Sequence, residues 1–279
     1  MFDPVFSFHN TQPTKVERMS PQTATPQDPI RVAIVGATGK MGTHAIDAVS
    51  AANDMELVAT LSSKNELTAI TDAKATHVLD LTIPDVSPNV VAFAVRAGLH
   101  TVIGTSGWTE DKRAVLQTQL ADHPEVGVLI APNFSIGSVL ATRFAAQAAP
   151  YFDSVEIIEM HHPQKVDAPS GTAVRTAEMI ATARERAGVG PSPDATQHDP
   201  GHARGAKIDG INVHAVRLAG LEAHQEVLLG TPGQQLVLRH DAFDRASYMP
   251  GVLLGLRTVA ARPGLAYGLD AYLDLDEPS

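Results

Sequence analysis

From position 30 onward the chain alternates short apolar runs with segments of helical period. Arg31, Val32, Ala33, Ile34 and Val35 form a β-branched run of the kind found in a buried parallel strand. The run stops at Gly36, and Met41, Ala45, Ala48 and Val49 then fall on one face of a helix. The same unit recurs, with strands predicted at 56–60, 77–81, 101–104 and 126–130. Ser87 is the expected N-cap of a helix that carries Pro88 at its first position and stops at Gly98. A further helix is predicted over 109–121, opened by Glu110 and Asp111 where the helix dipole favours acids. Alternation of this kind predicts an α/β fold, a Rossmann-like doubly wound parallel sheet over residues 30–134.

After residue 135 the pattern changes. A strand is expected at 154–160, a long helix over 170–187, and then a loop rich in Pro, Gly and His over 188–210. Three β-like runs follow at 211–218, 225–229 and 235–240, the last two joined by Gly230-Thr-Pro-Gly233 as a hairpin turn. Residues 135–250 therefore read as a second, α+β domain with an open mixed sheet, for substrate binding and oligomerisation. Few helices are in view to cover its apolar face. The apolar segment 252–260 needs a core to bury against, so 251–279 is expected to return and complete the first domain. Residues 1–29, with prolines at 4, 13, 21, 26 and 29 among Gln, Ser and Thr, read as a disordered tail.

Charge and composition then remove whole classes of function. With 21 Lys+Arg against 31 Asp+Glu, the net charge of −10 repels a phosphate backbone and argues against a nucleic-acid partner. No apolar run approaches the ~18 residues of a membrane span, and no secretory signal opens the chain, so the expected location is the cytoplasm, away from any membrane. The absence of cysteine excludes thiolate metal sites and every Cys nucleophile. His198 and His202 are four apart, but Pro200 and Gly201 between them break a helix, and no metal is expected.

Two motifs carry chemistry. Gly36, Ala37, Thr38, Gly39, Lys40 and Met41, with Gly42, spell GxxGxxG between a strand and a helix. Small residues there let the backbone approach a pyrophosphate, which the free N–H groups and the helix dipole then hold. The tip of the second strand reads Leu61-Ser62-Ser63-Lys64, with two hydroxyls and an ammonium and no acid, although Glu66 lies close. That favours NADPH over NADH, because an acid at the tip would repel a 2′-phosphate. The second motif is Glu159-Met-His161-His162-Pro-Gln-Lys165-Val-Asp167-Ala-Pro-Ser170-Gly171-Thr172-Ala173. It gathers two imidazoles and an ammonium within five residues, then opens a helix at Ser170 whose N–H groups at Gly171 and Thr172 make a carboxylate cradle.

The two motifs, together with Asp80-Leu-Thr82, Gly104-Thr-Ser-Gly107, Ala131-Pro-Asn-Phe134, Arg217-Leu-Ala-Gly220 and Gln225-Glu226, resemble the 4-hydroxy-tetrahydrodipicolinate reductase (dihydrodipicolinate reductase) family across nearly everything but the tail. The resemblance implies NAD(P)H-dependent reduction of a small dicarboxylate in the diaminopimelate route to lysine. It implies His161 as proton donor and Lys165 as the second catalytic group, with His162, Ser170, Gly171 and Thr172 on the substrate carboxylates. It places the pyrophosphate on 36–41 and the nicotinamide against Gly104, Thr105, Ser106, Ala131, Pro132, Asn133 and Phe134. It also implies a homotetramer formed through the second sheet. Ser106 stands where the family more often has threonine, and Trp108 where phenylalanine is common.

Histidine suits the task, since hydride addition to an electron-poor ring needs a proton from a group titrating near neutrality, and the reference imidazole pKa is ~6.5. Two rival classes fit the residues less well. An aspartate-semialdehyde dehydrogenase needs a cysteine nucleophile that this chain lacks. A non-catalytic NADPH sensor has no use for His161, His162 and Lys165 beside a carboxylate-ready helix start.

Overall fold

The computed structural model describes residues 28–273. Most of the expected disordered tail, positions 1–27, lies outside the described residues, as do 274–279. The first half runs β1 (Ile30–Val35), α1 (Lys40–Ala51), β2 (Met55–Leu61), α2 (Thr68–Asp72), β3 (His77–Asp80), α3 (Ser87–Arg96), β4 (His100–Ile103), α4 (Glu110–Leu120) and β5 (Gly127–Ile130). The second runs α5 (Ile136–Ala148), β6 (Ser154–His161), α6 (Gly171–Arg186), β7 (Ala206–Ile208), β8 (Ile211–Arg217), β9 (Ala223–Thr231), β10 (Gln234–Ala242), α7 (Met249–Thr258) and β11 (Gly264–Tyr267).

Six strands make one sheet in the order β11-β5-β4-β3-β1-β2, with every pair parallel. A parallel sheet is buried on both faces, which is why its strands read as continuous apolar runs. Val32, Ile34, Leu79, Val102 and Leu129 point to one side and pack on Ala45 and Val49 of α1 and on Val252 and Leu256 of α7. The apolar segment of α7 thus packs on this face of the first sheet. Val35 and Val78 face the other side against Val90 and Ala94 of α3, and Val128 and Ile130 do so against Leu116 and Leu120 of α4. The strand order reverses between β1 and β3, where sheets of this type bind ligands beyond the carboxyl ends of the strands.

The second sheet has the order β10-β9-β6-β8-β7 and is mixed: β6 and β8 are parallel, the remaining pairs antiparallel. Val155, Ile157, Val213, Val227 and Leu229 alternate onto one face and pack on Ala145 of α5 and Ala173, Ala177 and Ile180 of α6. The chain leaves the first sheet at Ser135 and comes back after β10. Ser135 Oγ and His240 Nε2 lie 2.9 Å apart, so the two crossings run side by side.

Several local expectations are corrected. Ser87 is not an N-cap: it is the first residue of α3, preceded by Val86, and its hydroxyl turns inward to the buried carboxylate of Asp80. The helix α5 had not been foreseen, because it buries Ser138, Thr142, Ala145 and Ala146, small residues that leave no apolar stripe to read. It covers the second sheet beside α6. The loop 188–210 ends in the short strand β7, and β9 runs on through Gly230 and Thr231, leaving only Pro232 and Gly233 for the turn. The four-residue edge strand β11 is too short to carry a period. No helix among the described residues is long and apolar enough to cross a membrane.

Candidate active site

The loops after β4 and β5 in the first sheet face the loop after β6 and the first turn of α6 in the second, across a cleft of about 910 Å³. His161, His162, Lys165, Ser170, Gly171 and Thr172 line it from one side. Met41, Gly104, Thr105, Ser106, Ala131, Pro132, Asn133 and Phe134 line it from the other. Gly36 to Lys40 stand at the carboxyl end of β1 and lead into α1; they do not line the cleft itself.

That first turn is shaped for close backbone approach. Gly36 has φ +86°, and a Cβ on it would lie 2.4 Å from the carbonyl oxygen of Leu81. A Cβ on Gly42 would lie 2.3 Å from the Gly36 carbonyl, so neither glycine can be replaced without moving the turn. Behind the loop after β4, Asp80 accepts from Thr82 N at 3.0 Å, Thr82 Oγ1 at 2.6 Å and Ser87 Oγ, while Trp108 Nε1 donates to Ser87 Oγ at 3.0 Å. This buried chain fixes the loop that runs from Gly104 to Trp108. Thr105 Oγ1 is buried there without a protein partner, as suits a hydroxyl that meets a polar ligand group. The residues present therefore fit a dinucleotide.

Across the cleft, Ser170 caps α6 by accepting from Ala173 N at 3.2 Å, and the backbone N–H of Gly171 donates to the Asp167 carboxylate, so this helix start already holds one anion. Lys165 Nζ pairs with Asp167 Oδ1 at 2.7 Å. Burial raises the Asp167 carboxyl, but the hydrogen bond and charge of Lys165 outweigh it and hold the group below its ordinary value. His161 Nδ1 lies 2.6 Å from Glu159 Oε2. Glu159 is fully buried, and the guanidinium of Arg217 grips both its oxygens at 2.8 Å. Burial pulls the Glu159 carboxyl upward, yet the hydrogen bonds and charges of His161 and Arg217 prevail and hold it at about 2.

Glu159 and Arg217 had been given no role by sequence reasoning. Glu159 and His161 are two apart on a strand and so share a face, a signal that was available. Arg217 becomes a neighbour only through the pairing of β6 with β8, with His161 opposite Arg217, which no local pattern announces. Gln225, His240, Arg245 and Tyr248 also reach the cleft.

A parallel nucleotide-binding sheet joined to a cationic, carboxylate-ready module defines a dinucleotide-dependent oxidoreductase. The family model described as "Dihydrodipicolinate reductase, N-terminus" matches residues 30–134, and "Dihydrodipicolinate reductase, C-terminus" matches 137–273. The chain belongs to the dihydrodipicolinate reductase family, whose members are NAD(P)H-dependent oxidoreductases. The 4-hydroxy-tetrahydrodipicolinate reductase of Streptomyces avermitilis is 55% identical over 247 residues, 88% of this chain and 99% of its own length. A dipicolinate-bound dihydrodipicolinate reductase from Paenisporosarcina sp. TG-14 is 39% identical with a TM-score of 0.79, over 88% of this chain and 100% of that one. A D-galactose-1-dehydrogenase from Rhizobium etli shares the fold alone, at 18% identity and a TM-score of 0.54, over 88% of this chain and 92% of that one.

Proposed function

We propose that this chain reduces 4-hydroxy-tetrahydrodipicolinate to tetrahydrodipicolinate with NAD(P)H, with net loss of water, in the diaminopimelate route to lysine. The observation that carries the reading is the convergence of His161, His162, Lys165 and the first turn of α6 on the same cleft as the loops after β4 and β5. The dipicolinate held by the Paenisporosarcina relative supports a small dicarboxylate as ligand.

When bound, the reduced nicotinamide supplies the hydride. Gly36, Ala37, Thr38, Gly39, Lys40 and Met41, with the N-terminus of α1, hold the pyrophosphate. Thr105 offers its buried hydroxyl to the nicotinamide end. Ser170, Gly171, Thr172 and His162 hold the substrate carboxylates, and Lys165 stabilises charge on the ring that accepts the hydride. His161 delivers the proton that completes the reduction. A preference for NADPH rests on the tip of β2, where Ser63 and Lys64 are exposed and no acid precedes Glu66. In the same proposal the enzyme is cytoplasmic and a homotetramer. Ile158, Met160 and Leu228 are half-buried on the face of the second sheet turned away from α5 and α6, and Val216 and Val237 are exposed there.

Consumption of NADPH, followed by absorbance with substrate generated in situ from pyruvate and aspartate semialdehyde by the preceding synthase, tests the reading. His161→Gln and Lys165→Ala should each depress kcat by at least ~100-fold with the fold intact. Near-normal turnover in both would overturn it.

A further inference from the structure

We propose that Glu159 is the positioning residue of this site, one buried carboxylate that orients the proton-donating imidazole and anchors the substrate cradle together, with Arg217 as its counterweight. The inference rests on the reading of His161 as the donor. Glu159 makes four polar contacts to three partners, and each partner leads to a different part of the site. It meets His161 Nδ1 at 2.6 Å, it receives both guanidinium nitrogens of Arg217 at 2.8 Å, and it accepts from the backbone N–H of Ser170 at 3.0 Å. Ser170 is the cap of α6, so the carboxylate that aims the imidazole also pins the turn that cradles the substrate. Arg217 Nη2 in turn donates to the carbonyl of Asp167 at 2.7 Å, and Asp167 holds Lys165. The imidazole, the ammonium and the helix start are thereby tied to a single buried point.

An ionised carboxylate can only accept hydrogen bonds, so His161 Nδ1 carries the proton in this pair. Nε2 is left as the nitrogen that turns to the substrate. With Arg217 removed, Glu159 would stand beside the imidazole as an unopposed anion. With Glu159 removed, Arg217 would stand there as an unopposed cation. The other charged or titratable groups around the pair are His162, Lys165 and Asp167, from the loop after β6. β9 sets Gln225 opposite Glu159 and Ala223 opposite His161, and β8 sets Ala215 opposite Glu159, so the sheet adds no further charge. The cap of α6 contributes the Ser170 N–H, while Arg175 and Glu178 of α6 and Glu222 before β9 line the same cleft without an ion pair to Glu159 or His161.

The test is the pH dependence of kcat in two variants. Glu159→Gln removes the anion that favours the imidazolium. The alkaline limb should move down by about one pH unit or more, and kcat should fall at least ~10-fold while the KM for NADPH stays within about twofold. Arg217→Gln leaves the anion unopposed, and the same limb should move up. Opposite displacements support the proposal, since general damage to the site would move both limbs alike or neither. Should Glu159→Gln fail to fold, as judged by loss of NADPH binding, Glu159→Asp keeps the charge; its limb should stay where the unaltered enzyme has it, and a downward move like that expected of the glutamine variant would overturn the idea. If His161→Gln is inactive while both limbs stay unmoved, this inference fails and the assignment of His161 stands. If His161→Gln turns over normally, the underlying reading fails first.

Discussion

Asn133, on the loop after β5, donates through Nδ2 to Thr172 Oγ1 at 3.4 Å and to Ser138 Oγ at 2.9 Å, while its Oδ1 accepts from Ser135 N at 2.8 Å. One amide therefore spans the cleft, from the loop after β5 to the first turn of α6. Asn133→Ala leaves Thr172 free to rotate away from the cradle. A rise of roughly 3- to 10-fold in the KM for the dicarboxylate is expected, the scale of one modest hydrogen bond, and steady-state kinetics at saturating NADPH would measure it. An unchanged KM would show that Thr172 is held by its backbone alone.

Trp108 is the single tryptophan of the chain, it lines the cleft, and its indole is anchored to Ser87 at 3.0 Å. Its emission should be quenched as NADPH, which absorbs in that range, fills the adjoining loop. Trp108→Phe should abolish the signal, retain turnover and cost about 1 kcal/mol of stability through the lost hydrogen bond. A titration without any quenching would place the nicotinamide elsewhere.

At the opposite end of the first sheet the His77 and His100 rings meet tilted at 42°, with centroids 5.0 Å apart. Burial, reinforced by the neighbouring His100, pushes His77 down to about 4, and its Nε2 has no partner. The unfolded chain takes up that proton near pH 6.5 and the folded one only near pH 4. Stability is therefore full above pH 6.5 and is lost progressively as the pH falls toward 4. The thermal midpoint should drop between pH 7 and pH 5, and His77→Leu should flatten that drop. An equal slope in the variant would assign the acid sensitivity to other groups.

The guanidinium of Arg184 is buried and donates to the carbonyls of Ala149, Phe152, Asp153 and Gly190 at 2.6 to 3.1 Å. It closes the ends of two helical segments and the start of the following loop at once. Arg184→Met removes a donor from all four carbonyls, of which Ala149 keeps the Phe152 N–H, and should cost roughly 2–4 kcal/mol. Denaturant unfolding would show this as a lower midpoint with NADPH affinity preserved, whereas a loss below about 0.5 kcal/mol would mean that water replaces the guanidinium.

Much of this architecture is legible in the chain because parallel strands buried on both faces, such as Ile30–Val35 and Gly127–Ile130, have to be written as unbroken apolar runs. The loop after β6 is legible for another reason: His161, Lys165 and Ser170 lie close in sequence, and a strand end followed by a capped helix brings them to one cleft without long-range help. What escapes is the part set by pairing at a distance. Arg217 reaches Glu159 across 58 positions, and although Arg217-Leu-Ala-Gly220 belongs to the family resemblance, no local periodicity tells which carboxylate it meets. Ser87 misled for a similar reason, since its cap-like position beside Pro88 conceals a hydroxyl committed to Asp80. The helix Ile136–Ala148 buries Ser138, Thr142 and alanines, and small side chains write no stripe.

The contact between Ser135 and His240 sets the departure of the chain from the first sheet beside its return, the two separated by one hydrogen bond. Everything from α5 to β10 is in effect an appendage hung on a nucleotide-handling chassis, and its two roots are close enough to be cut and rejoined without stretching either. Such a joint lets the chassis be inherited unaltered while the appendage is exchanged.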